Sequence, residues 1–324
     1  MFYLLLTALS LAVLFLVLAS ASLLCMPGTR LLLKMAGAAT PRTRANLLFA
    51  WRLLPLGLAC AVTFGLALPA FLEFEPYSTR EGMGLRLMTL AVLGALVLLG
   101  MAMRAVNILR ATRKAQQGWR KRSEKMEMET MRAPVYCVEN GASLLAVTGI
   151  FRPAIFVARE ITEALSHDEL RAALAHEMAH VLSFDNLKQF LLKITRAPRW
   201  LEMLYNSDAE WTSASELAAD HRALAEGASA LELSSALIKV GRLKRSSVGV
   251  EPVASHLVPT ACSQSLESRV VRLSEILEGA ETAPVRARNG GRLLLPLIIS
   301  LAAYLACIHA ILPAVHEALE FLVR

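Results

Sequence analysis

The sequence predicts a mainly α-helical membrane protein, with four transmembrane helices and one α+β domain that carries a small β-sheet. Three observations predict it. Of 324 residues, 55% are hydrophobic and the mean hydropathy is +0.48, which is too apolar for an ordinary soluble chain. Four runs are free of charge for long enough to cross a bilayer. Between the third and fourth lies a long charged segment with room for a folded domain.

Residues 1–26 form the first run, and they carry no charge. A cleaved leader begins with a basic segment. Here the cations Arg30, Lys34, Arg42 and Arg44 come afterwards, so the run reads as a retained span. Leu24 also sits where a lipoprotein signal at Cys25 needs a small residue. Residues 27–52 then form a loop, and 53–72 the second span, which Pro55 and Pro69 are expected to kink. Membrane helices tolerate prolines where neighbours satisfy the freed carbonyls. The loop at 73–86 mixes acids and bases. The third run is uncharged over 87–103 and its helix is taken to 109, with Gly94 and Gly100 as close-packing points. The fourth is 291–315, and 316–324 forms a tail.

The net charge of +7 is concentrated beside these spans. Cations follow span one, follow span three (Arg104 to Lys125) and precede span four. The positive-inside rule puts all three groups in the cytoplasm. Both termini then lie outside, and the segment 110–290 is cytoplasmic. The basic stretch after span three reads as a helix leaving the membrane near anionic headgroups. No nucleic-acid motif accompanies it, so direct nucleic-acid binding is not expected. His309, inside span four, is an ionisable intramembrane residue and so a functional candidate. The alternative is a neutral ring bonded to a neighbouring helix. A transporter or channel reading needs more charges inside the spans than this one. The five cysteines (Cys25, Cys60, Cys137, Cys262, Cys307) lack C-x-x-C spacing. They read as small buried hydrophobes.

Within the domain, Val135–Val138, Leu144–Thr148 and Ala154–Val157 are strand candidates, the last two forming a hairpin around Gly149 to Arg152. One of these strands, if it is an exposed edge, could pair with an extended peptide. Ser166 and Glu169 have the spacing of a capping box, so a helix is expected over 168–183. It contains His176-Glu177-Met178-Ala179-His180, an H-E-x-x-H pattern. Residues four apart share a helical face, so His176 and His180 can bind one ion together. Two imidazoles and a third ligand suit a catalytic zinc with an open position. Such an ion makes water ionise near neutral pH, and Glu177 is placed to take the proton and deliver it to a leaving amine. The alternative is a pair of solvated or hydrogen-bonded histidines. The helix expected over 207–226 supplies Glu216 and Asp220, again four apart. Glu216 could be the third ligand. Asp220 could accept the free N–H of a ligand histidine, fixing its tautomer.

These segments together resemble the BlaR/MecR-type membrane metallopeptidases. Ile150 to Val157 (IFRPAIFV) resembles the strand pair before that family's zinc helix, and Leu165 to Asn186 (LSHDELRAALAHEMAHVLSFDN) resembles the helix itself, with Asp185 nine residues after the first histidine. Glu216 to Asp220 (ELAAD) is similar to the family's E-L-x-x-D segment, and HtpX-type membrane peptidases share a comparable pattern. The resemblance implies a zincin-like domain with zinc at His176, His180 and Glu216, Glu177 as general base and Asp220 as orienter of a ligand.

For Asp185 a structural bond at a helix terminus is expected. His221 is a candidate for steadying the oxyanion, Tyr205 a weaker one, and Arg269 is expected to pack a helix on the domain. The implied protein is a zinc endopeptidase of the bacterial plasma membrane. It would cut a cytosolic regulator such as a transcriptional repressor, or its own chain, with room for a membrane partner or a homo-oligomer. Membrane-protein quality control, as in HtpX-type enzymes, and a zinc-bound scaffold that no longer cuts are the alternatives. The receptors of the family carry an extracellular penicillin-binding domain after the last span. None is present in these 324 residues, so direct β-lactam sensing is not expected.

Overall fold

A computed structural model describes residues 1–36, 39–75, 83–128, 131–139, 144–196, 205–246, 263–278 and 294–323. The chain divides into two compact units. One comprises Met1–Leu33, Ala50–Met103 and Ala287–Arg324, and the other Lys34–Phe49 and Arg104–Arg286.

The first unit is built from largely apolar, Leu- and Ala-rich helices. Helix α1 (Phe2–Ala36) runs on past the predicted end of span one, and α2 (Pro41–Val62) begins well before span two. The loop expected over 27–52 is therefore mostly helical. A π-helical turn (Thr63–Ala67) links α2 to α3 (Leu68–Phe74). Its cause is Pro69, which has no N–H to offer the carbonyl four residues back. That carbonyl, on Gly65, instead accepts from Tyr304 Oη at 2.7 Å. Helix α4 (Leu85–Arg120) contains the third span. A Cβ on Gly94 would meet the Leu11 carbonyl oxygen, whereas nothing lies near Gly100. Of these two glycines, Gly94 is thus the close-packing point.

Among the described residues, three helical stretches are long and apolar enough to cross a membrane: Phe2–Thr29, Pro41–Phe74 and Leu85–Arg120. The expected fourth span falls in α11 (Leu294–Val323). That helix continues through the predicted tail, where HEALEFLV offers good helix formers and no glycine or proline stop. The side chain of His309 lies outside the described residues.

In the second unit, α4 continues as far as Arg120. Beyond it the helix expected over the basic stretch gives way to a strand, β1 (Ser123–Met126). The sheet order is β1-β2-β4-β3. Strand β1 is antiparallel to β2 (Val135–Val138), which is parallel to β4 (Ala154–Ala158), which is antiparallel to β3 (Leu145–Thr148). Strands β3 and β4 form the expected hairpin. It turns at Gly149, with φ +103°, where a Cβ would strike the Arg152 carbonyl. Strand β3 is an edge, but part of that edge is occupied. Asn186 Nδ2 donates to the carbonyls of Val147 and Gly149 at 3.3 and 2.9 Å. Cys25, Cys60 and Cys137 are free thiols.

Behind the sheet lie α5 (Arg159–Ala164) and α6 (His167–Leu182). Leu174 and Met178 of α6 pack on Ile155, Phe156 and Val157 of β4. The capping box is complete. Glu169 N–H donates to Ser166 Oγ at 3.2 Å, and Ser166 N–H donates to Glu169 Oε2 at 2.7 Å. Helix α9 (Ala230–Ser246) adds Lys239 Nζ and Ser235 Oγ, both donating to the same carboxylate. Led by the Lys239 bond, these donors hold Glu169 at about 2, below its usual 4.5. A depressed carboxylate stabilises the fold above its unfolded value and loses that contribution as pH falls through the folded value. The expected loss therefore lies between pH 4.5 and about 2. Ser166→Ala is expected to cost about 1 kcal/mol, measured as a shift in the denaturation midpoint.

Candidate metal centre

Two helices carry the site. Helix α6 holds its two histidines one turn apart, their rings edge to face with centroids 4.8 Å apart. The Nε2 atoms are 3.2 Å apart. Helix α8 (Tyr205–Ala225) packs on α6 and brings in Glu216. Its Oε2 lies 3.5 Å from His176 Nε2 and its Oε1 3.7 Å from His180 Nε2. Small side chains permit this approach, with Ala172 of α6 and Ala223 of α8 buried in one cluster. Donors bound tetrahedrally at about 2.0–2.1 Å stand about 3.3 Å apart. The three side chains match that spacing and could hold one metal ion.

Each imidazole is also gripped from behind. His176 Nδ1 donates to Asp220 Oδ1 at 2.9 Å, and His180 Nδ1 donates to Asp185 Oδ2 at 2.8 Å. When neutral, both rings then keep a lone pair on Nε2, the atom facing the triad. Asp220, expected to accept the free N–H of a ligand histidine, lies beside His176. Asp185 does more than the terminal bond expected of it. It opens α7 (Asp185–Ile194) and braces a candidate ligand. The turn that allows this passes through Phe184, whose φ of 56° is in the left-handed region and whose side chain is 67% exposed. A bulky residue there carries a strain of order 1 kcal/mol or more. Asp185→Ala is expected to weaken metal binding about 10- to 100-fold, measured by competition with a chelator.

Arg269 lies on α10 (Ser263–Leu277), which packs on the domain as expected, and its guanidinium also enters the site. Nε and Nη2 each donate to Asp220 at 2.7 Å, and Nη1 donates to Glu216 Oε2 at 2.7 Å. Nη2 also stands 3.4 Å from both ring nitrogens of His176. Arg269 is 5% exposed. The sequence held a signal for this. Arg269 shares a helical face with Leu273 and Ile276, which pack into an apolar cluster, and an arginine on a buried stripe requires a carboxylate partner.

The electrostatics follow from this crowding. Burial pushes Glu216 and Asp220 up, but the Arg269 charge and the histidines outweigh it, leaving both well below the carboxylate range. Burial and Arg269 push His176 down, but Asp220 and Glu216 prevail and raise it to about 9. His180 is raised too, with burial opposed by Asp185 and Glu216. Three acids thus face one guanidinium and two imidazoles. A metal ion arriving at the site competes with protons for the ring nitrogens.

Glu177 is half-buried next to His176 and makes no hydrogen bond or ion pair among the described residues. Its charge is felt at Arg269. His221 is half-buried beside Asp220. The side chain of Tyr205 lies outside the described residues. A family model described as BlaR1 peptidase M56 matches residues 75–273, more than half of the chain. No curated protein and no solved structure matches it.

Proposed function

The chain belongs to the M56 family of BlaR1-type peptidases, and from that premise we propose a zinc endopeptidase of the bacterial plasma membrane that cuts a cytosolic regulator or its own chain. Membership in the family makes it a membrane-associated metallopeptidase. The finer reading rests on one observation, the convergence of His176, His180 and Glu216 at donor spacings of 3.2, 3.5 and 3.7 Å. Two imidazoles and a carboxylate are a donor set of catalytic zinc. The surplus of buried negative charge around them favours a divalent cation.

Zinc, when bound, supplies a Lewis acid for the scissile carbonyl and an acidified water. The chain's own groups do the rest. Asp220 and Asp185 hold the two rings in the tautomer that presents Nε2. Glu177 carries the proton from the water to the leaving amine, and its freedom from other bonds suits that task. An extended substrate is placed along the β3 edge, beyond the carbonyls of Val147 and Gly149 that Asn186 takes. His221 is the candidate for steadying the oxyanion, to be tested by His221→Ala. Following the distribution of cations around the spans, the domain faces the cytoplasm and both termini face outward.

The test compares cells carrying the parent and the Glu177→Gln protein for new protein N-termini, with metal measured on the purified chains. Parent-dependent N-termini in one cytosolic repressor, or in this chain, are expected. N-termini spread over many membrane proteins would favour quality control instead. A parent that holds no stoichiometric metal overturns the reading.

A further inference from the structure

The second unit contains a segment that belongs to no part of the metal site in sequence. Lys34–Phe49 includes the first turns of α2, the helix that goes on to form the second candidate span. These turns touch both helices that flank the site. Lys188 of α7 donates to Asn46 Oδ1 at 3.1 Å, and its ammonium lies 5.9 Å from the centre of the Phe49 ring. The same ammonium is 3.6 Å from Asp185 Oδ1, while Asp185 Oδ2 accepts from His180. On the other side, Arg44 pairs with Glu210 of α8 at 2.5 Å. Glu210 lies six residues before Glu216 on that helix.

Geometry decides between a passive surface contact and a working one. An exposed ion pair contributes little by itself. Lys188, however, is only 19% exposed and stands between the head of α2 and the carboxylate that sets the His180 ring. A carboxylate shared between an imidazole and an ammonium has one oxygen fixed by each. Loss of the ammonium frees Asp185 to turn about its side-chain bonds. His180 Nδ1 then keeps its partner for only part of the time, and Nε2 loses its fixed direction. Removing such an outer partner weakens metal sites. The Arg44–Glu210 pair acts on the opposite wall, restraining α8 near the helix turn that carries the carboxylate donor.

We propose that the head of α2 is a working part of the metal centre, with Lys188 as a positioning residue that couples it through Asp185 to His180, and with Arg44 anchoring α8. The proposal rests on the triad being a metal site. A tilt or axial shift of the second span would then reach the donor geometry directly. This gives a membrane event a route by which it alters catalysis.

The experiment uses the full-length protein in lipid nanodiscs. Zinc affinity is measured by chelator competition, and the visible spectrum of the cobalt-substituted protein reports donor geometry. Lys188→Met, which keeps the length of the side chain, is expected to weaken zinc about fivefold to tenfold and change the cobalt spectrum. Lys188→Arg should restore affinity to within about twofold. Arg44→Glu should weaken zinc about threefold, and adding Glu210→Arg should recover it. These readouts separate positioning from packing, because a purely structural loss lowers the melting temperature with zinc affinity unchanged. If Lys188→Met fails to fold, the Arg44 and Glu210 series decides. A parent that binds one zinc, with Lys188→Met or Arg44→Glu binding it equally well, overturns the coupling and leaves the metal site standing. A parent that binds no zinc overturns both.

Discussion

Glu177→Gln is expected to slow peptide hydrolysis by about 10²- to 10⁴-fold while the purified protein keeps its metal. The amide has the shape of the carboxylate but cannot take a proton from water. Glu177 is half-buried and makes no hydrogen bond or ion pair among the described residues, so the change leaves no partner stranded. Its loss should therefore appear in kcat with metal content and thermal midpoint unchanged, which is the pattern of a group that acts at the transition state. Hydrolysis of a linker peptide by nanodisc-reconstituted protein, with metal content from elemental analysis, checks both halves. A variant that cleaves at the parent rate excludes Glu177 as the base. A variant that loses its metal makes Glu177 a structural member of the site instead.

What could be read in advance followed the range of each interaction. The pair His176 and His180, and the pair Glu216 and Asp220, are four residues apart, so the helical period alone fixes their relative placement. The capping box was legible for the same reason, as was the hairpin at Gly149. Among the described residues the missed strand, β1, has the sequence Ser-Glu-Lys-Met and shows no apolar alternation. Only its pairing with β2 holds it extended, and no local pattern encodes that partner. Arg269 was out of reach in a different way. It stands 49 residues from Asp220 and 93 from His176, so its role depends on how α10 meets α6 and α8. Asp185 is legible as a matching letter, but its bond to His180 depends on Phe184 turning the chain back toward that ring. Helix ends behaved similarly. Lys34 and Arg120 lie inside helices that outlast the apolar runs, because charge ends a membrane span without ending a helix.

Arg269→Met should produce the largest loss of stability, about 3–5 kcal/mol in metal-free protein. The guanidinium donates three bonds of 2.7 Å to two buried carboxylates. Without it Asp220 and Glu216 are left with only the imidazoles for compensation. A divalent ion supplies part of the missing charge, so the deficit should shrink when zinc is present. The difference in melting temperature between parent and variant should thus be larger in chelator than in zinc. Acid provides a second sign. Both carboxylates are held below their ordinary range, so their contribution is complete above about pH 4 and is lost as pH falls below it. With Arg269 removed, burial is opposed only by the imidazoles, and the excess of protons bound by the unfolded chain shrinks. The slope of stability against pH below about 4 should flatten, and protonation at higher pH should relieve the variant. Arg269→Lys keeps the charge but not the planar fork, so it should fall between parent and methionine variant. Equal destabilisation with and without zinc would mean that Arg269 supports the helix packing alone, with no electrostatic link to the metal centre.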